Sequence, residues 1–243
     1  MRDWMAAPVL TRSGQYKVED DRWILVAFPM INGATLKNNR LTEEQIRQLA
    51  WALAELHSHG GEISGSAQFI QEDFSLPFAD MLKAFPDRRD KESGVQRILR
   101  PFESSLRGGL ERLGMLAKTL KCSHGDRVLC HTDIHGWNLM WTDKIILVDW
   151  EGLRLAPAEA DLFVFTEGFF FDYAAGEFMS ACQKRRKEYK VSEDALAFYR
   201  LRRRMEDISE FIYSVECDNL TSGEKSSSLK QLYAECEALS AML

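Results

Sequence analysis

Between Val128 and Glu151 the sequence gathers polar side chains that stand out in an apolar setting: His131, Asp133, His135, Asn138, Asp149 and Glu151. Asp133 and Asn138 share one loop, and Asp149 ends the next apolar run, Lys144–Asp149. Rigid strands that end in such side chains present them to a cleft. If the two runs pair as antiparallel strands, the three oxygen-bearing groups converge. Two carboxylates and a carboxamide are hard donors of the kind Mg²⁺ takes together with water and substrate phosphates. Asp133 is then suited to accept or orient a hydroxyl proton while Asn138 and Asp149 hold the cation. A competing reading, a His131-x-Asp133-x-His135 metallohydrolase, needs further ligands. The other histidines, His57, His59 and His124, form no cluster that supplies them.

These groups must be carried by elements, and the pattern supplies them. Gln15–Val18 and Arg22–Phe28 read as short strands joined by the acidic turn Glu19-Asp20-Asp21, the second a continuous apolar run expected to be covered on both faces. Pro29 stops it and Asn32-Gly33 marks a turn. Thr42-Glu-Glu-Gln45 is a capping box; Ile46, Leu49, Leu53 and Leu56 follow at helical spacing, and Gly60-Gly61 is the expected stop. Further helices are expected over 76–85, 94–120, 158–173, 192–216 and 224–243. Short strands are expected over Arg127–His131 and Lys144–Asp149, and a polar loop, ordered or mobile, over Thr221–Ser228. A β hairpin, helices, a brief β insertion and more helices make an α+β chain.

His131-x-Asp133-x-x-x-x-Asn138, followed by a strand and Asp149, resembles the catalytic loop and metal aspartate of the protein-kinase-like fold. In the form His-Thr-Asp-Ile-His-Gly-Trp-Asn, then Val-Asp-Trp-Glu, it resembles the aminoglycoside phosphotransferase family, within the group that includes choline and methylthioribose kinases. Phe28–Gly33 looks like that family's hinge, Leu53–His57 like the end of the helix that follows, and Ala156–Leu162 like the segment whose Asp161 braces the catalytic loop. The wording of the hinge and of Arg203–Ile208 is closest to spectinomycin-type phosphotransferases. The resemblance covers most of Pro8–Ile212.

It implies Asp133 as catalytic base, Asn138 and Asp149 as Mg²⁺ ligands, His131 as the residue that orients the loop, and Asp161 as its support. It also implies that the backbone around Phe28–Met30 meets adenine, with Met140 and Val148 packing on the other side. The implied reaction moves the γ-phosphoryl group of ATP, or another nucleoside triphosphate, to a hydroxyl of a small molecule, with aminoglycosides or aminocyclitols and antibiotic resistance as the associated class. The family's Gly-rich loop, strand lysine and helix glutamate find no match in the 27 residues before Phe28, where Gly14 is the single glycine and Lys17 comes one strand too late. The expectation is a truncated N-terminal lobe over 1–33 ahead of a helical C-terminal lobe over 34–243. Weak or absent turnover follows, with an inert ligand-binding protein as the alternative, and with self-association through an exposed strand edge.

Composition sets the outer bounds. The chain has 243 residues, 45% hydrophobic and 28% charged, with a net charge of −6. That balance excludes wholesale disorder and argues against a nucleic-acid binder. Five cysteines without a Cys-x-x-Cys pair suit reduced thiols in a cytoplasm, and no apolar run is long enough to cross a membrane. The basic groups Lys184–Lys187, Arg200 and Arg202–Arg204 read as a solvated helix face. Glu151, Glu167, Asp172 and Glu177 read as surface carboxylates or, in the sharper version, as an acidic wall for a cationic substrate. Trp137 and Trp141 read as core or cleft walls, and His57 and His59 as structural or solvated residues at a helix end, with His57 a candidate cap for the last turn.

Overall fold

The Thr42 box forms as its spacing requires. The Gln45 amide donates to the Thr42 hydroxyl at 3.3 Å and the Thr42 amide to Gln45 Oε1 at 2.8 Å. Together they start helix α1 (Glu43–Leu56), whose Ile46, Leu49 and Leu53 are buried. The α-helix ends at Leu56, before the expected Gly60-Gly61, and continues as a 3₁₀ turn, His57–Glu62. The computed structural model describes residues 3–37, 41–62, 69–85, 93–123, 125–166, 176, 180 and 190–243. His124, Glu167, Asp172, Glu177, Cys182 and Lys184–Lys187 lie outside the described residues.

The chain divides into two units, the first formed by Met1–Gln71 and Asp126–Lys190, the second by Glu72–Gly125 and Val191–Leu243. In the first, strands β1 (Val18–Glu19) and β2 (Ile24–Leu25) pair antiparallel, Val18 opposite Leu25. The turn between them is set by the Asp20 carboxylate, which accepts the Arg22 and Trp23 amides at 2.8 Å. The strands are shorter than the expected spans, and beyond β2 the Val9 amide donates to the Ala27 carbonyl at 2.8 Å. The second run is not covered on both faces: Trp23, Ile24, Leu25 and Val26 are exposed, with no layer packed over them among the described residues.

Strand β3 (Ala34–Thr35) begins a three-stranded antiparallel sheet of order β3-β5-β6, with β5 at Leu139–Trp141 and β6 at Ile145–Leu147. Thr35 faces Met140, and Met140 faces Ile146. Residues 4–6 run along β6, where Trp4 and Ala6 exchange backbone hydrogen bonds with Leu147 at 2.8 and 3.1 Å. Strand β4 (Val128–Cys130) pairs with β7 (Arg154–Ala156), not with β6. The condition of an antiparallel pair between the two central runs is therefore not met, and the approach of their ends comes from hydrogen bonds of the loop between them instead. Strands β3, β5 and β7 carry no pattern of their own, since two or three residues are too few to display a period.

In the second unit, Pro101 breaks the helix expected over 94–120. Helix α3 (Gly94–Leu99) gives way to a 3₁₀ turn at Arg100–Phe102, and α4 (Glu103–Cys122) follows. Pro77 similarly delays α2 to Ala79–Ala84, because the residue before a proline avoids helical geometry. Numbered on past α5 (Glu159–Thr166) of the first unit, helices α6 (Glu193–Cys217) and α7 (Ser222–Met242) pack together, with α6 also against α4 and α7 also against α3. Thr221–Ser228 is not a loop. Thr221 and Glu224 form a second capping box, so the polar run is the first turns of α7. No helix among the described residues is long and apolar enough to cross a membrane.

Candidate active site

The site lies in the first unit, where β4 runs into the loop bearing Asp133. Its organising group is Asp161, fully buried in the first turn of α5. One carboxylate oxygen accepts the His131 amide at 3.0 Å and the His57 ring at 2.8 Å; the other accepts the Thr132 amide at 2.7 Å. Thr132 has φ of 70°, a left-handed conformation that is costly for a β-branched residue. Two bonds hold it there: the Thr132 hydroxyl donates to the Gly152 carbonyl at 2.7 Å, and Asp161 receives its amide. Any Cβ on residue 152 would lie 2.8 Å from that hydroxyl. His57 Nε2, the Cys130 sulfur and an Asp161 oxygen lie within 4.8 Å of one another. Asp161 already receives three N–H donors, so this group is a hydrogen-bonded knot that ties α1, β4 and α5 together.

Beyond the knot, His131 is buried with its ring tilted on Trp150 at 4.7 Å. Its Nδ1 accepts the Asp133 amide at 3.4 Å, and its Nε2–H donates to the Val148 carbonyl at 3.0 Å. The Val148 amide in turn donates to the Asn138 carbonyl at 3.1 Å. Val148 thus ties the loop to β6 one residue before Asp149. Asn138 Nδ2 donates to the Asp133 carboxylate at 2.9 Å and to the Asp133 carbonyl at 3.0 Å. Asp133, Asn138 and the segment entering Asp149 are therefore joined by direct bonds. Asp149 itself has φ of 65°, is exposed, and has no hydrogen-bond or ion-pair partner among the described residues. The Asn138 amide oxygen accepts no hydrogen bond there either.

The expected nucleotide contacts fall in two places. Met140 and Val148 are half-buried on and just after the β5–β6 hairpin, whereas Phe28 and Met30 are exposed in the extended segment that leads to β3. Trp137 is exposed under the Lys37 ammonium, 4.8 Å from its ring centroid, and Trp141 is half-buried on β5. Glu151 is exposed in the 3₁₀ turn Trp150–Gly152. His57 caps α1 through its backbone, but its side chain turns inward to Asp161 rather than to the last helical turn. His59 stays near Glu55 at 3.9 Å.

Four residues that position the loop, Thr132, Lys37, Gly136 and Gly152, escape the sequence pattern. The Lys37 amide donates to the Gly136 carbonyl at 2.7 Å, and a Cβ on residue 136 would fall 1.7 Å from the Lys37 carbonyl oxygen. A glycine three residues after Asp133 is the available signal, since glycine permits close backbone approach.

With this geometry in place, comparison with known proteins assigns the class. Residues 7–198 match the phosphotransferase enzyme family, and the chain belongs to that family. The fold is protein-kinase-like: it superposes on a spectinomycin phosphotransferase in complex with ADP and spectinomycin with a TM-score of 0.79 and 20% identity, over 99% of this chain and 78% of the other. The choline kinase LicA from Streptococcus pneumoniae superposes with a TM-score of 0.58 and 16% identity, over 91% of this chain and 74% of LicA. Among curated proteins, StrN of Streptomyces griseus is 25% identical over 230 residues, 86% of this chain. The chain spans 64% of the length of StrN.

Proposed function

We propose that the chain carries the catalytic loop of an ATP-dependent phosphotransferase that moves a γ-phosphoryl group to a hydroxyl of a small molecule of the aminoglycoside or aminocyclitol class. One observation carries the reading. Asp133 and Asn138 are bonded side chain to side chain, and Val148, next to Asp149, is bonded to both Asn138 and His131. Asp133 accepts or orients the proton of the attacking hydroxyl; its carboxylate is held by Asn138 and its backbone by His131. The donor set suits Mg²⁺: an exposed carboxylate at Asp149 and an amide oxygen at Asn138, neither taken by a protein donor among the described residues. Bound there, Mg²⁺ would neutralise charge on the transferred phosphate. Asp161 and Thr132 keep the loop in its strained shape before substrate arrives. Met140 and Val148 offer an apolar surface to adenine, with the backbone of Phe28–Met30 as its polar edge. The spectinomycin and ADP complex of a similarly folded protein supports the substrate class and the nucleotide.

A second reading, a protein that holds ligand without turnover, is favoured by the segment before the hinge. There Gly14 sits in an exposed turn and Lys17 pairs with Glu19 at 2.6 Å on the surface, so neither forms a phosphate cradle. Phosphate transfer from labelled ATP to a panel of aminocyclitols and aminoglycosides, spectinomycin included, separates the two. The enzyme reading expects product with the wild-type chain and none with Asp133→Ala, plus an ATP–Mg²⁺ thermal shift that Asp149→Ala removes. A shift without product favours the second reading, and neither shift nor product sinks both. The exposed β1 edge also suits pairing with a second copy, a property independent of catalysis.

A further inference from the structure

The loop contains two histidines, and the second, His135, belongs neither to the buried knot nor to the proposed cation ligands. The two rings are held in the same way. Each accepts, on Nδ1, the backbone amide two residues further on: Asp133 for His131 at 3.4 Å, Trp137 for His135 at 3.2 Å. An Nδ1 that accepts an N–H carries a lone pair, so in each neutral ring the proton sits on Nε2. His131 points that proton at the Val148 carbonyl. His135 Nε2 stands 3.3 Å from Asp133 Oδ2, the oxygen that also accepts Asn138 Nδ2 at 2.9 Å, an ion-pair contact.

We infer that His135 is a positioning residue for Asp133: the Trp137 amide fixes its tautomer, and its Nε2–H, with Asn138, sets the rotation of the Asp133 carboxylate. This rests on the phosphotransferase reading only for its consequence in turnover. The consequence is specific. Asn138 Nδ2 is bonded to Oδ2 and the His135 ring nitrogen stands 3.3 Å from the same oxygen, so the rotation of the Asp133 carboxylate is restricted and the range of orientations in which it meets the substrate hydroxyl narrows. His135 is half-exposed, and its ring engages Asp133 and the Trp137 amide, a different set of groups from the buried one around Asp161.

The test has two arms on the full chain. In long-range ¹H–¹⁵N spectra of the imidazoles, wild-type His135 is expected as the Nε2–H tautomer. Asp133→Asn should move its Nε2 resonance and leave the tautomer unchanged. An Nδ1–H tautomer, or spectra identical in Asp133→Asn, overturns the inference whatever the activity. In the kinetic arm, His135→Ala should lower kcat about tenfold with KM for ATP unchanged, the size set by one hydrogen bond to a charged group. His135→Gln, whose amide N–H can replace Nε2–H, should recover most of the loss, whereas His135→Asn, which presents its donor nearer the Nδ1 position, should not. Equal loss in all three variants overturns the positioning role. Absence of turnover in the wild type strikes at the proposed function instead, and the spectra then decide the inference alone.

Discussion

Asp161 shows how much a single buried carboxylate can determine. It replaces a stretch of backbone pairing by accepting two consecutive amides, His131 and Thr132, and it couples them to His57 on a different element. Asp161→Asn keeps the volume but turns a donor toward N–H groups, so at least one buried amide loses its acceptor. The expected cost is about 3 kcal/mol, measured by chemical denaturation, and a value within a few tenths of wild type would contradict the role. Gly136→Ala tests the close approach to Lys37. Its Cβ has no space, so the loop must shift, with a loss of about 2 kcal/mol or more in the same measurement and loss of any ATP–Mg²⁺ thermal shift. Residue types in the loop that bears Asp133 are legible in the sequence because His-x-Asp-x-x-x-x-Asn is a local pattern. The use of His57, 104 residues away from Asp161, is not, because no spacing rule links the two.

Helix α6 carries a basic run, Arg200 and Arg202–Arg204, whose composition alone suggests a solvated face. Arg203 pairs with Asp207 at 3.0 Å, and Arg204 pairs with Glu235 on α7, so part of that run holds two helices together. Burial raises the Asp207 carboxyl to about 6, with Glu235 and Glu210 pushing the same way and Arg203 and Arg204 opposing. A carboxyl raised from 3.8 favours its protonated form in the folded state. Its stabilising effect is complete below pH 3.8 and is lost as pH rises through about 6. Asp207→Asn removes that titration, so the variant should gain in Tm relative to wild type as pH rises from 3.8 to about 6 and hold the gain above. The gain corresponds to about 1.4 kcal/mol for every tenfold change in proton affinity between the folded and unfolded chain. A difference in Tm that is flat with pH would show that the group is not buried. Burial likewise pushes the Cys236 thiol up to about 12, which makes it a packing group on α7 and a poor nucleophile.

For the molecule as a whole, the exposed feature that stands out is the β1–β2 hairpin. Val18, Trp23, Ile24, Leu25, Val26 and Phe28 are exposed within a short segment, and β1 has one unpaired edge among the described residues. Open edges with apolar faces template pairing with another chain. Antiparallel pairing of β1 with its copy about Val18 would set Lys17 opposite Glu19, a favourable cross-strand combination. The mass by light scattering is expected to rise with concentration, and Ile24→Lys with Leu25→Lys should return it to that of a monomer. A monomer at every concentration would remove the proposal and leave the site untouched.

Local chemistry is readable from residue order alone where an apolar period confirms it: the Thr42 box precedes one and is legible, the Thr221 box opens a polar run and is not, and the loop from His131 to Asn138 declares its donors by spacing. The protein-kinase-like class is legible for the same reason, since its markers are short motifs in a fixed order. What folding in three dimensions decides is which short strands pair, that β4 joins β7 rather than β6, and that Asp161, His57 and Lys37 converge on one loop. Strands of two or three residues have no period to read, and hydrogen bonds across tens of residues depend on packing that brings the partners together. Asp133 can be picked out from its neighbours in the chain; the shape of the loop that presents it comes from Asp161, His57 and Lys37, assembled around it.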